Sequence, residues 1–134
     1  MNNDEKEFLG QFENGTLPAE KFHHADHVRA AWIYVRNYSA MEGLQLFCTH
    51  LKQFASRHGK PGLYHETITW AYFLLIQERA KKNDHDCWEK FVENNADLFD
   101  WKNSILKQYY TQETLQSSLA RSIFVLPDRV DAGC

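Results

Sequence analysis

A chain of 134 residues with 43% hydrophobic and 25% charged side chains has the composition of one globular domain, residues 1–134, with a core of ordinary size. Its net charge of −3 and lack of any basic stripe argue against a nucleic-acid partner, and its longest apolar run, Ala71 to Ile76, is too short to enter a membrane as a span. Cys48, Cys87 and Cys134 are odd in number and far apart, which speaks against a paired-cysteine metal or redox motif and for a reducing cytoplasm, and the charged start, Met1 to Glu7, lacks the apolar segment of a signal peptide.

The first predicted helix covers about residues 4–13, with Phe8, Leu9 and Phe12 on one side and Asn14-Gly15 closing it. Leu17-Pro18 turns the chain into a second helix that begins at Pro18 or Phe22 and reaches Tyr38. Its stripe of His24, Val28, Ala31, Val35 and Tyr38 has helical period and puts His24 on the buried side. His27 lies one step round, with Ala31 and Tyr34. Ser39-Ala40-Met41-Glu42 reads as a capping box that opens a third helix with Leu44, Phe47, Leu51 and Phe54 inward. His58-Gly59 ends it, since glycine suits the left-handed position after a helix.

After the turn Gly59-Lys60-Pro61-Gly62 comes a helix from about Tyr64 to Lys81. It is apolar nearly all round, as expected of a central helix, with His65, Glu66, Thr67 and Thr69 gathered in its first turns. Asp86-Cys87-Trp88-Glu89 resembles a second capping arrangement, before a helix carrying Trp88, Phe91 and Val92. Shorter helices are expected over residues 97–110 and 112–124, broken near Thr111. The tail Val125-Leu126-Pro127-Asp128 reads as extended and packing back on the body. The fold class is therefore all-α, a compact helical bundle of about five to seven helices.

The chemistry concentrates in two places. Three histidines fall within Phe22-His23-His24-Ala25-Asp26-His27-Val28-Arg29, and another sits in Tyr64-His65-Glu66-Thr67. Residues three or four apart share a helix face, so His24 with His27 can present two imidazoles together. If the two helix starts converge, His65 and Glu66 join them. Three protein ligands with an open position describe a catalytic metal site, whereas two imidazoles and a carboxylate would suit ferrous iron. The expected metal ligands are thus His24, His27, His65 and Glu66, for a divalent ion left open among Zn, Fe, Mn and Cu. Glu66 can equally be a general base, or the partner that fixes an imidazole tautomer. Arg29 and Arg121 are candidates to orient an anionic group, because the guanidinium fork fits carboxylates and phosphates; a structural ion pair is the other reading of each. Tyr110 is a candidate phenol in the pocket, or a core residue with its hydroxyl satisfied. Phe22, Trp32, Tyr64 and Trp70 are candidate pocket walls. His50, His58 and His85 read as surface residues, and the isolated His85-Asp86 pair receives no role.

The set F-H-H-x-x-H-V-R-x-A-W (from Phe22), Y-H-E-T-I-T-W (from Tyr64), K-Q-Y-Y-T (from Lys107) and A-R-S-I-F-V-L-P-D (from Ala120) resembles a family of small uncharacterised bacterial all-helical proteins. The resemblance runs from about Phe22 to Asp128. It puts weight on His24, His27, Arg29, His65, Glu66, Thr67, Thr69, Tyr110, Arg121, Pro127 and Asp128, and implies no particular reaction. A more distant similarity is to the DinB-type four-helix bundles, which hold a divalent metal through three histidines spaced differently from these.

Three functions compete. One is a small metal-dependent enzyme, a hydrolase, lyase or oxygenase, acting on a small anionic molecule. Another is a metal-free enzyme using His and Glu as acid and base. The third is a non-catalytic bundle whose aromatic pocket binds a ligand or another helix. The first is the leading expectation, with a small-molecule substrate and with no nucleic-acid or membrane partner; the oligomeric state is left open.

Overall fold

The computed structural model describes residues 1–83 and 87–129. His85, Asp86 and Cys134 lie outside these, and with them the predicted cap at Asp86. Seven α-helices occur among the described residues: α1 (Asn3–Asn14), α2 (His24–Asn37), α3 (Ala40–Arg57), α4 (Glu66–Asn83), α5 (Trp88–Asn94), α6 (Gln112–Leu115) and α7 (Ser118–Ser122). Single 3-10 turns at Ala19–Lys21, Pro61–Leu63, Ala96–Phe99 and Ile105–Gln108 connect them. The class is all-α, as expected, and no described helix is long and apolar enough to cross a membrane.

Local side chains set the helix ends. Asn2 and Glu5 cap α1 reciprocally, with bonds of 2.8 and 3.0 Å, and Gly15 closes it at φ 81°, a left-handed angle that suits glycine. Ahead of α2, the Asp26 carboxylate accepts the His23 N–H at 2.9 Å. At α3, Ser39 Oγ accepts the Glu42 N–H at 3.3 Å and donates to the Glu42 carboxylate at 2.8 Å. The predicted box there is half formed, because Glu42 takes the hydroxyl rather than the Ser39 N–H.

The core runs through α2, α3 and α4. Ala30, Ala31, Trp32, Ile33, Tyr34 and Val35 are all buried, so the middle of α2 is enclosed on every side. Helix α4 packs against α2, α3 and α7, which makes it central as its apolar girth predicts. Gly43 sets how closely α3 approaches α2: a Cβ there would stand 3.2 Å from the Tyr34 carbonyl oxygen and 3.2 Å from Phe73 Cζ.

The C-terminal third departs most from expectation. The helix expected over 97–110 is two 3-10 turns joined by a loop. Asp100 Oδ1 accepts the Asn103 N–H at 3.0 Å, and Ser104 Oγ accepts the Leu106 N–H at 3.2 Å. Short polar side chains here hydrogen-bond the backbone in competition with the helix ladder. The helix expected over 112–124 divides at Ser117, whose Oγ donates to the Thr114 carbonyl at 2.6 Å and accepts the Ala120 N–H at 3.1 Å. The break at Thr111 stands as expected, with Thr111 capping α6 through the Thr114 N–H at 3.2 Å.

Candidate functional site

A cavity of about 520 Å³ opens where the starts of α2 and α4 meet the end of α3. Its volume lies in the range of small-molecule clefts, about 300–1,000 Å³. Phe22, Leu51, Phe54, Ile68 and Ile76 make most of its wall apolar, and His24, His27 and His65 all line it. The three imidazoles singled out from the sequence thus share one cavity, but their ring nitrogens differ in what they are free to do.

His65 is buried, at 6% exposure, and immediately precedes α4. Its Nδ1 accepts the Ile68 N–H at 3.1 Å, and its Nε2 lies 2.7 Å from the Leu115 carbonyl oxygen. An acceptor at Nδ1 and a donor at Nε2 describe one neutral tautomer. The ring therefore serves at once as N-cap of α4 and as tie to the end of α6. Both nitrogens are committed, so a metal would have to displace a helix cap or a buried carbonyl bond.

His24 Nε2 donates to the Leu98 carbonyl at 2.8 Å. Its ring stands 5.0 Å from that of Tyr72, edge-on, and 4.9 Å from that of Trp101. Burial holds its pKa below the ordinary value despite the Leu98 bond. His27 stacks on Phe22 at 4.2 Å. Burial first, then the neighbouring His24 and His23, push its pKa down to about 4, against a hydrogen bond to the Phe22 backbone. His27 is accordingly an uncharged imidazole at neutral pH. Among the described residues, no group of three His, Cys, Asp or Glu side chains stands together as a metal site.

Glu66 does not join the histidines. On α4 it turns to the other side, into a shallow groove shared with Met41, Gln45 and Cys48. There it accepts the Tyr64 hydroxyl at 2.5 Å and the Trp70 indole N–H at 3.2 Å, with Lys52 Nζ at 3.9 Å. Burial raises the Cys48 thiol pKa, which leaves Cys48 a poor nucleophile. Arg29 is likewise elsewhere, its guanidinium 4.7 Å over the Phe8 ring. The Tyr110 hydroxyl is spent on the Val125 carbonyl at 2.7 Å, within the core. Of the four predicted catalytic residues, Glu66, Arg29, Arg121 and Tyr110, Arg121 alone lines the histidine cavity. It donates to the Gly62 and Tyr64 carbonyls, fastening α7 to the turn after α3. It is not paired with Asp128, which accepts from the Thr111 N–H at 2.9 Å and the Thr114 hydroxyl at 2.5 Å.

The sequence motifs therefore have a structural content. Thr67 Oγ1 donates to the Ile123 carbonyl at 2.8 Å and accepts the Val125 N–H at 3.1 Å, while Trp70 stacks on Phe124 at 5.0 Å. Tyr110, Thr111 and Asp128 tie the tail from its other side. The tail packs back as expected, held by these contacts with the start of α4 and with α6.

Sequence reasoning missed three lining residues that matter: His58, Lys60 and Trp101. His58 is not a free surface residue. Its ring lies 4.4 Å from that of Phe54, and its Nε2 is buried without a hydrogen-bond partner among the described residues. The signal was available, since Leu51, Phe54 and His58 continue the inward period of α3. Of the four candidate wall aromatics, Phe22 and Tyr64 line the cavity; Trp32 packs instead with Trp88 and Phe91, and Trp70 lines the groove beside Glu66. No protein-family model, curated protein or solved structure matches the chain.

Proposed function

We propose that the chain binds a small organic molecule in the cavity between α2, α3 and α4, without a metal ion, and that the surrounding imidazoles recognise the polar part of that molecule. The observation that carries this reading is the combination of a roomy, mainly apolar cavity with a buried, unpartnered His58 Nε2 in its wall. A buried nitrogen without a partner costs on the order of 1–3 kcal/mol, a cost that a bound acceptor or donor removes. Catalysis by His27 receives less support, because a conjugate acid with a pKa of about 4 is far from the value near operating pH that general-base work favours.

One observation favours the metal-dependent alternative: His24, His27 and His65 share a single cavity. A single experiment separates the two. Metal content is measured by mass spectrometry on tag-free protein and on His24→Ala, while a fragment library is screened by amide chemical shifts on the wild type and on Leu51→Trp, which fills the cavity. The expected result is fragment-induced shifts clustered on cavity residues, lost in Leu51→Trp, with melting unaffected by chelator. About one bound metal per chain, lost in His24→Ala, would overturn the metal-free reading, because a stoichiometric site needs these nitrogens as ligands.

A further inference from the structure

The charge of the cavity wall is opposite to that of the chain. The protein carries 18 acidic against 15 basic side chains, yet the lining includes Lys60, Arg121 and four histidines, and no carboxylate among the described residues. The basic groups are also held together. His58 and Lys60 belong to the turn that follows α3, and Arg121 is fastened to that same turn through the Gly62 carbonyl. Leu63, which follows that turn, is 71% exposed and lines the cavity too, so apolar and cationic groups meet at the opening. Phe22, Leu51 and Phe54 supply an apolar wall continuous with His58.

We propose that the ligand of this cavity is a monocarboxylate with an apolar body, its carboxylate met by Lys60, Arg121 and His58 and its body lying against Phe22, Leu51 and Phe54. The proposal rests on the small-molecule reading above and deepens it by assigning the ligand class. Guanidinium and ammonium groups recognise carboxylates by charge-assisted hydrogen bonds, and His58 Nε2 would gain the partner it lacks. A second charge on the body of the ligand, against Phe22, Leu51 and Phe54, would be buried without a counter-ion, which favours a single carboxylate at one end. A competing account gives Lys60 a purely structural role: cations near the C-terminus of α3 complement the helix dipole. The two accounts differ in what Lys60→Gln changes, since a dipole role alters melting and leaves ligand preference alone.

The test titrates the full chain with octanoate, octan-1-ol and octylammonium, following Trp101 fluorescence and amide shifts, with Leu51→Trp as the blocked cavity and Trp101→Phe to assign the signal. Octanoate is expected to bind about tenfold tighter than the alcohol, a difference of ~1.4 kcal/mol, and tighter still than the amine. In Lys60→Gln that preference should fall severalfold while alcohol binding stays the same. Equal binding of acid and alcohol, unchanged in Lys60→Gln, would overturn the carboxylate assignment and leave the small-molecule pocket standing. Tightest binding of the amine would overturn the assignment as well. If none of the three shifts any cavity residue while library fragments do, the ligand class alone fails. If neither probes nor fragments bind, the pocket reading fails, and this inference with it.

Discussion

His65→Ala is the substitution that most directly separates an imidazole used as structure from one used as ligand. The wild-type ring makes two bonds of different kinds, accepting the Ile68 N–H at 3.1 Å and donating to the Leu115 carbonyl at 2.7 Å. Removing an N-cap costs about 0.5–2 kcal/mol. Stranding a half-buried carbonyl adds about 1 kcal/mol, and the lost packing of a ring 6% exposed adds a similar amount. The expected loss is therefore about 2–4 kcal/mol, or on the order of 10 °C in melting temperature for a chain of this size. His65→Asn is the informative partner, because asparagine is a good N-cap but is too short to reach Leu115. It should recover about 1 kcal/mol of the loss, with the Ile68 amide again protected from hydrogen exchange and the tie to α6 still broken. Urea midpoints and amide exchange on the two variants measure both halves separately. Equal stability of the alanine and asparagine variants, or an alanine variant within about 0.5 kcal/mol of wild type, would refute the double role.

Two further predictions use other parts of the fold. His27, with its pKa lowered from 6.5 to about 4 in the folded chain, binds its proton more weakly folded than unfolded, so acid favours unfolding: this contribution is absent above about pH 7 and grows as pH falls through 6.5 toward 4. By linkage it amounts to about 2 kcal/mol at pH 5, and urea midpoints should show wild type losing that much more than His27→Phe between pH 7.5 and 5; parallel losses in the two proteins would sink it. Gly10 and Gly43 both lie inside helices, yet a Cβ at Gly10 meets nothing within 4 Å whereas one at Gly43 meets the Tyr34 carbonyl and Phe73. Gly10→Ala should then stabilise by about 0.5–1 kcal/mol through helix propensity, and Gly43→Ala should destabilise by about 1 kcal/mol through overpacking, both read from chemical denaturation; a gain at Gly43 would show that α2 and α3 can part at little cost.

How much of this was legible depends on the range of the interaction. Helix ends fixed by neighbours in sequence could be read directly: Asn14-Gly15, Ser39 and His58-Gly59 all mark real boundaries. The inward period of α3 and the apolar girth of α4 were equally plain. Within 97–124 the break at Thr111 was legible but the helix lengths were not, because Asp100, Ser104 and Ser117 turn the chain by hydrogen bonds that hydrophobic periodicity does not register. At the site, helical spacing paired His24 with His27, whereas the meeting of the two helix starts that brings His65 to the same cavity is a tertiary contact that the sequence offered only as a condition. The same spacing turns Glu66 about 100° from His65, toward Trp70, whose indole N–H it accepts in the groove with Lys52; its expected place beside the histidines ran against that step. Nor could any spacing show that one Arg121 guanidinium nitrogen is held by the Gly62 carbonyl and the Tyr110 hydroxyl by that of Val125.

The histidine motifs look more catalytic than their geometry supports because of what an imidazole can do at a helix end. An imidazole can accept a bond on one nitrogen and donate on the other across the width of its ring. A helix start that must be both capped and tied to a distant segment therefore favours histidine over serine or asparagine. His65 is used this way between α4 and α6, and His24 ties the start of α2 to Leu98. Such ties arise where helix ends meet, and helix ends carry polar backbone groups that apolar side chains cannot satisfy. The bundle consequently ties its helix ends with imidazoles, hydroxyls and Arg121 as well as with apolar side chains, and the cavity lies beside those ties. The structural histidines of the cavity and His58, whose Nε2 lacks a partner among the described residues, then belong to one arrangement: the first group frames the space, and the second offers a bond to whatever enters it.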